Sequence, residues 1–188
     1  MATNLKCWTK RLSSPYTLDN QYQLTTGGLL LFGVIAGLLQ LHLRYPLNIP
    51  GHHGLEWMAL LLMARFGSDR RNAATLVACA AATIYLAQLP LVSVSPSLKP
   101  AAVFILTGIC SDLLFGLTRD RFNLMANGVL IGGLVFLTKP LVFSALYLLA
   151  WVKLGMFVNH PDYLTFIIHW LFGAAGGFVG AILSRSFR

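Results

Sequence analysis

The chain has 188 residues, of which 56% are apolar and only 11% charged, with a formal net charge of +8. A water-soluble domain carries about a quarter charged residues, so this sequence lacks the polar surface to face water on every side. Nucleic-acid binding is excluded too, because the cations are dispersed between apolar runs rather than gathered with aromatics in one basic patch. Cys7, Cys79 and Cys110 are scattered without a CxxC spacing, and no disulfide framework is implied.

In chain order, residues 1–23 form a polar leader containing Lys6, Lys10, Arg11, Ser13, Ser14 and Pro15. The apolar run after it exceeds a signal-peptide core and no small-residue cleavage pattern follows, so it reads as a retained span. That span covers 24–43, about the length that a 30 Å hydrocarbon core requires. Tyr45, Pro46, Pro50, Gly51 and Gly54 break the helix. The next run, 55–66, is too short for an upright span, and either the loop extends it or it stops at protein-lined depth. A basic turn over 67–72 follows, with a helix start expected at Ser68 or Asp69. Spans are expected over 73–92 and 101–117, separated by a Ser/Pro loop. The 124–158 stretch is too long for one upright span and is interrupted by Lys139-Pro140. A last span over 163–183 precedes a short basic tail.

Cationic gaps alternate with nearly uncharged ones along this series. Short loops rich in Lys and Arg stay on the cytoplasmic side of a bilayer, so the alternation reports orientation. If 124–158 is one kinked helix, ten cations lie inside against three outside: Arg44, Lys99 and Lys153. Splitting the stretch into two spans moves Arg185 and Arg188 outside and worsens the asymmetry. The expectation is therefore an all-α bundle of six transmembrane helices forming one domain over 24–188, with both termini cytoplasmic.

Small residues recur at helix-contact spacing in Gly33-x-x-x-Gly37, Gly128-x-x-x-Gly132, Gly173-x-x-x-Gly177 and Gly176-x-x-x-Gly180, and along Ala74, Ala78 and Ala82. Such ridges let backbones approach closely where lipid removes the hydrophobic drive to associate. They serve either packing within the bundle or contact with a partner protein.

The topology gathers Asn48, His52, His53, Glu56, His160, Asp162, His169 and Trp170 at the outer side. Convergent polar groups beside aromatics describe a small-molecule pocket at the mouth of a bundle. His169 is the sharpest of these, since ionisable groups within spans face the bundle interior or a water-filled path. The alternatives are wetted loop histidines, a helix-capping Glu56, and an aromatic belt for Trp57, Trp151 and Trp170. A metal site built from His52, His53, Glu56 and His169 is a further alternative, against which stand the difficulty of turning adjacent histidines to one ion and the lack of an HExxH spacing. Nor does the sequence hold a GxSxG or a Walker-type loop, so no catalytic residues and no cofactor are expected. Asp112 and Lys139 are intramembrane charges, able to pair with one another if their helices adjoin.

The six apolar segments, the segment Tyr45-Pro-Leu-Asn-Ile-Pro-Gly-His-His-Gly54 and the glycine-rich Phe172-Gly-Ala-Ala-Gly-Gly-Phe-Val-Gly-Ala-Ile-Leu183 together resemble the substrate-binding S components of energy-coupling-factor transporters, including the BioY-like group. The first segment resembles that family's substrate-capping loop and the second its closing helix. The resemblance implies a multi-pass protein of the bacterial inner membrane that captures a vitamin-like micronutrient. Its partners would be a membrane coupling subunit and cytoplasmic ATPases, with ATP used by those subunits alone. It also implies a coupling face on the first span, here Gly33, Ala36 and Gly37. The Met-His start of metal-specific relatives is absent, since the chain begins Met1-Ala2. The alternative from another class is an accessory or assembly subunit of a larger membrane complex, in which the glycine ridges are the function.

Overall fold

The computed structural model describes residues 24–42, 52–88, 98–154 and 163–187, and among them it is helical throughout, with no strand. The helices are α1 (Thr26–His42), α2 (His53–Phe66), α3 (Ala73–Gln88), α4 (Lys99–Thr118), α5 (Leu124–Phe136), α6 (Thr138–Leu154) and α7 (Tyr163–Leu183), followed by a single 3₁₀ turn over Ser184–Phe187. The element boundaries have local causes. Thr25 Oγ1 accepts from the Gly28 amide at 3.3 Å at the start of α1. Asn123 caps α5 by accepting from the Ala126 amide at 2.8 Å. Pro100 falls in the first turn of α4, where its missing N–H costs nothing.

The long stretch after residue 124 breaks at Leu137, which keeps right-handed helical angles (φ −66°, ψ −17°). α6 therefore continues α5 after a one-residue interruption. Leu137 lies two residues before Lys139, and Pro140 occupies the first turn of α6. Three segments are long and apolar enough to cross a membrane: Lys99–Thr118, Leu124–Ala145 and Tyr163–Ser186. Their outer faces carry exposed large apolar side chains, among them Leu106, Leu113 and Leu117 on α4 and Leu164, Ile167 and Leu171 on α7. So much uncovered apolar surface suits lipid rather than water.

The expected helix start at Ser68 or Asp69 is not observed. The chain turns through 67–72, the Ser68 hydroxyl accepts from the Arg70 amide at 3.3 Å, and α3 begins at Ala73. The reason is that α3 takes its cap from another helix, as described below.

Glycine determines which helices meet. On α7, Gly173 and Gly177 lie directly on Gly132 and Gly128 of α5, so that a Cβ on any of the four would strike backbone of the opposing helix. The matches run in opposite directions, as antiparallel neighbours require. One step around α7, Gly176 meets the Leu55 carbonyl and Gly180 the Ala59 carbonyl of α2. An added Cβ at Gly180 would fall 2.6 Å from that oxygen. α7 thus presents one glycine face to α5 and another to α2. The same device joins α1 to α3: Gly33 lies on Val77 and Ala80, and Gly37 on Ala81 and Ile84. The opposite side of α3 takes Gly108 of α4 against Ala74 and Ala78.

α2 has 14 residues, about 21 Å of helix, well short of a 30 Å hydrocarbon core. It is buried almost all round, with Met58, Leu61, Leu62 and Ala64 fully inaccessible, and packs chiefly on α7, with α1 and α3 on its other sides. Of the two readings left by its length, the structure has it enclosed by protein.

Gly177→Ala inserts a methyl where the Gly128 carbonyl lies, and it is expected to lower stability by roughly 1–3 kcal/mol in reversible unfolding in detergent micelles. Gly116→Ala on α4 meets nothing within 4 Å. It is expected to be neutral or to stabilise by up to about 1 kcal/mol through helix propensity. Equal losses for the two variants would contradict the packing described.

Candidate ligand site at one end of the bundle

The two ends of the bundle differ in chemistry. At one end lie the start of α1, the end of α2, the start of α3, the end of α4, the start of α5 and the end of α7. The Leu24 amide donates to the Gly67 carbonyl at 3.0 Å and ties α1 to the turn after α2. Arg70, Arg71, Arg119, Arg121 and Arg185 are exposed around this end. Arg65 is not one of them. It is buried, with its Nε 3.1 Å from Asp112 Oδ1 and the two side chains only 5% and 10% exposed. Its Nη1 donates to the carbonyls of Ser68 (3.0 Å) and Arg70 (2.9 Å), and its guanidinium lies 4.0 Å from the centre of the Phe115 ring.

Asp112 also accepts the amides of Ala74 (3.1 Å) and Thr75 (2.8 Å) and the Thr75 hydroxyl (2.7 Å). Those two amides belong to the first turn of α3, where a local capping residue ordinarily accepts. A carboxylate from α4 therefore does the capping, at the positive end of the α3 dipole. This corrects the expected Asp112–Lys139 pair. Asp112 sits at the basic end, whereas Lys139 lies at the other, so the two never meet.

At the opposite end a cavity of about 70 Å³ opens between α1, α2, α4 and the α5–α6 junction. Its walls are Gln40; His53 and Trp57; Pro100, Val103 and Phe104; and Phe136, Lys139 and Phe143. α2, α4 and the α5–α6 segment each contribute residues three or four apart, that is, one stripe of surface, and α1 contributes Gln40. An adjoining recess of about 10 Å³ between α1 and α2 is lined by Ala36, Gln40, His53, Glu56 and Trp57, among others. Trp57 is 6% exposed. Its indole N–H donates to Thr107 Oγ1 at 3.3 Å, that hydroxyl donates to the Phe104 carbonyl at 2.7 Å, and the Trp57 and Phe104 rings lie 4.5 Å apart. This chain fixes the inner wall and removes Trp57 from any aromatic belt. Phe136 is held by the absence of a side chain at Gly54, since a Cβ there would run into its ring.

The expected site residues divide accordingly. His53 and Glu56 line the cavity and its recess. His52 sits at the start of α2, its ring centre 3.8 Å from that of His53. His169 is 5% exposed and one layer behind the wall: its ring stacks on Phe136 at 5.2 Å, and its Nδ1 is 2.7 Å from the Thr165 carbonyl. Because a carbonyl oxygen only accepts, Nδ1 carries the proton there. Trp170 does not join the site. Its indole lies across Gly133 and is 38% exposed on the outer side of the α5–α7 seam. Asn48, His160 and Asp162 lie outside the described residues. Among the described residues, no three His, Cys, Asp or Glu side chains stand close enough to hold a metal ion.

Gly33, Ala36 and Gly37, expected as a coupling face, are also placed differently. Gly33 and Gly37 are consumed by the contact with α3, and Ala36 lines the recess. Several wall residues were missed in the sequence. Gln40 had a signal, as a lone amide inside an apolar span, and Phe136, Lys139 and Phe143 form a stripe at i, i+3, i+7. Phe104 and Val103 carried none. No protein-family model matches the chain, and neither a curated protein nor a solved structure does.

Asp112→Asn removes the counter-charge of a buried arginine and weakens the cap of α3. Breaking a buried pair from one side costs about 3–5 kcal/mol, and a loss of that order is expected in detergent unfolding. Asp120→Asn, whose pair with Arg119 at 3.5 Å is exposed, is expected to change stability by less than about 1 kcal/mol. A small effect at Asp112 would remove it from its capping and pairing role.

Proposed function

We propose that the protein is a membrane-embedded substrate-capture subunit that takes up a small molecule at the His53–Trp57 end of the bundle. The observation that carries this reading is the cavity: three helix stripes and Gln40 of α1 converge there, aromatic on most sides and polar at Gln40, His53 and Lys139. Concave, largely apolar sites with a few placed polar groups are where small ligands bind. The opposite end is filled by the Arg65–Asp112 network and ringed by arginines, which suits the cytoplasmic side of a bilayer. In this reading the chain crosses a bacterial inner membrane six times, with α2 shielded from lipid, and both ends of the chain face the cytoplasm.

The resemblance to energy-coupling-factor S components extends the reading to a vitamin-like micronutrient, a coupling subunit and ATPases that supply the energy. The coupling subunit would then dock on a face other than the Gly33–Gly37 ridge, which α3 covers. The accessory-subunit reading relied on glycine ridges as partner surfaces, and the four Gly-x-x-x-Gly ridges pack within the bundle.

Purified chain is expected to carry a small molecule detectable by native mass spectrometry. Gly54→Ala, which displaces Phe136, and His53→Ala should each reduce its occupancy at least about tenfold. His169→Ala should act more weakly, through Phe136. Undiminished occupancy in all three variants would remove the site. For sidedness, single cysteines introduced at Arg71 and Arg121 should be labelled by an impermeant maleimide only from the cytoplasmic side, and one at Lys99 only from outside. Labelling of all three from one side would overturn the topology.

A further inference from the structure

The geometry points to the chemical class of the ligand: the cavity receives the carboxylate end of a small apolar acid, with the Lys139 ammonium as its counter-ion. This inference rests on the capture reading of the same site.

The wall itself selects the sign of charge. Aromatic faces such as Trp57, Phe104, Phe136 and Phe143 would by themselves favour a cation. Lys139 stands in that wall, however, with its Nζ 6.0 Å from the centre of the Phe136 ring. A cationic ligand would meet a like charge in a space screened from water, where repulsion is strongest. Glu56, which would offset this, lines the adjoining recess and not the cavity.

Lys139 also lacks a carboxylate partner among the described residues, where Asp112 pairs with Arg65 and Asp120 with Arg119. An ammonium at an apolar wall without a counter-ion is unfavourable. A ligand carboxylate removes that deficit, and a neutral ligand does not. The Gln40 amide in the same wall supplies N–H donors of the kind a carboxylate accepts.

Size narrows the class further. A cavity of about 150 Å³ admits benzene, and this one is about 70 Å³. It accommodates a carboxylate and a few carbons, not a whole aromatic ring. The ligand is thus a short-chain acid, or the acid end of a longer molecule whose remainder leaves through the mouth.

Butyrate, butyramide and butylamine share one carbon skeleton and differ in charge, so they separate the possibilities. Each is titrated into the full chain in detergent at constant ionic strength, with tryptophan emission as the readout and Trp57→Phe as the control that assigns the signal to the cavity. Butyrate is expected to bind at least about tenfold more tightly than butyramide, with butylamine weakest. Lys139→Gln should abolish the preference for butyrate over butyramide, and Lys139→Arg should retain it. Each variant is accepted only with an unfolding midpoint matching the parent.

A butyrate preference that survives Lys139→Gln overturns the assignment of Lys139, and butylamine binding tightest overturns the sign of charge. In both cases a Trp57-dependent signal leaves the capture site standing. Absence of any Trp57-dependent signal for all three probes, into the tens of millimolar, overturns the capture site and the inference together.

Discussion

Backbone-to-backbone contact at the glycines of α7 is the constraint from which the rest of this structure follows. Where lipid surrounds a bundle, helices gain little from apolar burial against one another, and close approach with good van der Waals contact holds them instead. Gly173 and Gly177 bring α5 against α7, while Gly176 and Gly180 bring α2 against it from another side. Once both are docked on one helix, the start of α2 and the end of α5 come together. Phe136 then lies over Gly54, and Trp57 faces the space beside it. The cavity is a consequence of how tightly α7 holds its two neighbours.

The two ends of the bundle answer one electrostatic requirement in opposite ways. Charge removed from water must find compensation nearby. At the basic end Arg65 is paired with a carboxylate, donates to two carbonyls and lies over an aromatic face. Asp112 in turn is satisfied by two amides, a hydroxyl and the arginine. The result is a closed network that locks the end of α2, the start of α3 and the body of α4 into one geometry. No comparable network surrounds Lys139 among the described residues. An end whose charges are paired builds rigidity, and one whose ammonium has no carboxylate leaves chemistry for another molecule to complete.

Much of the helical layout is legible in the sequence. The last helix occupies the expected 163–183, and α1 and α4 fall within two residues of the runs that announced them. Apolar length and Gly/Pro punctuation are local properties, so they survive translation into structure. Partner choice is not local. Gly33-x-x-x-Gly37 signals a close helix contact without saying whose, and the contact is with α3. Asp112 and Lys139 were both visible as intramembrane charges. The partner of Asp112 depended on which end of α4 it occupied, and Arg65 looked like one more loop cation because it lies two residues before the basic turn. The start of α3 was misplaced for a related reason: Ser68 and Asp69 have capping chemistry, but the cap comes from a residue some forty positions later. Trp57 and Trp170 are alike in sequence context, and only the packing of α2 inside the bundle separates a cavity wall from an outer face.

The interruption at Leu137 connects these points to the site. In an unbroken helix Phe136, Lys139, Pro140 and Phe143 would share one face, at i, i+3, i+4 and i+7. Pro140 cannot donate to the Phe136 carbonyl four residues back, so the regular ladder fails there, and it resumes with the Leu141 amide on the Leu137 carbonyl at 3.1 Å. The stripe stays on the cavity side across the interruption, since Phe136, Lys139 and Phe143 all line the cavity. α5 follows α7 from Gly128 as far as Phe136, whose ring stacks on His169. Beyond Leu137 the chain packs on α4 as well as on α7, so the interruption falls where the helix passes from the glycine seam to the cavity wall.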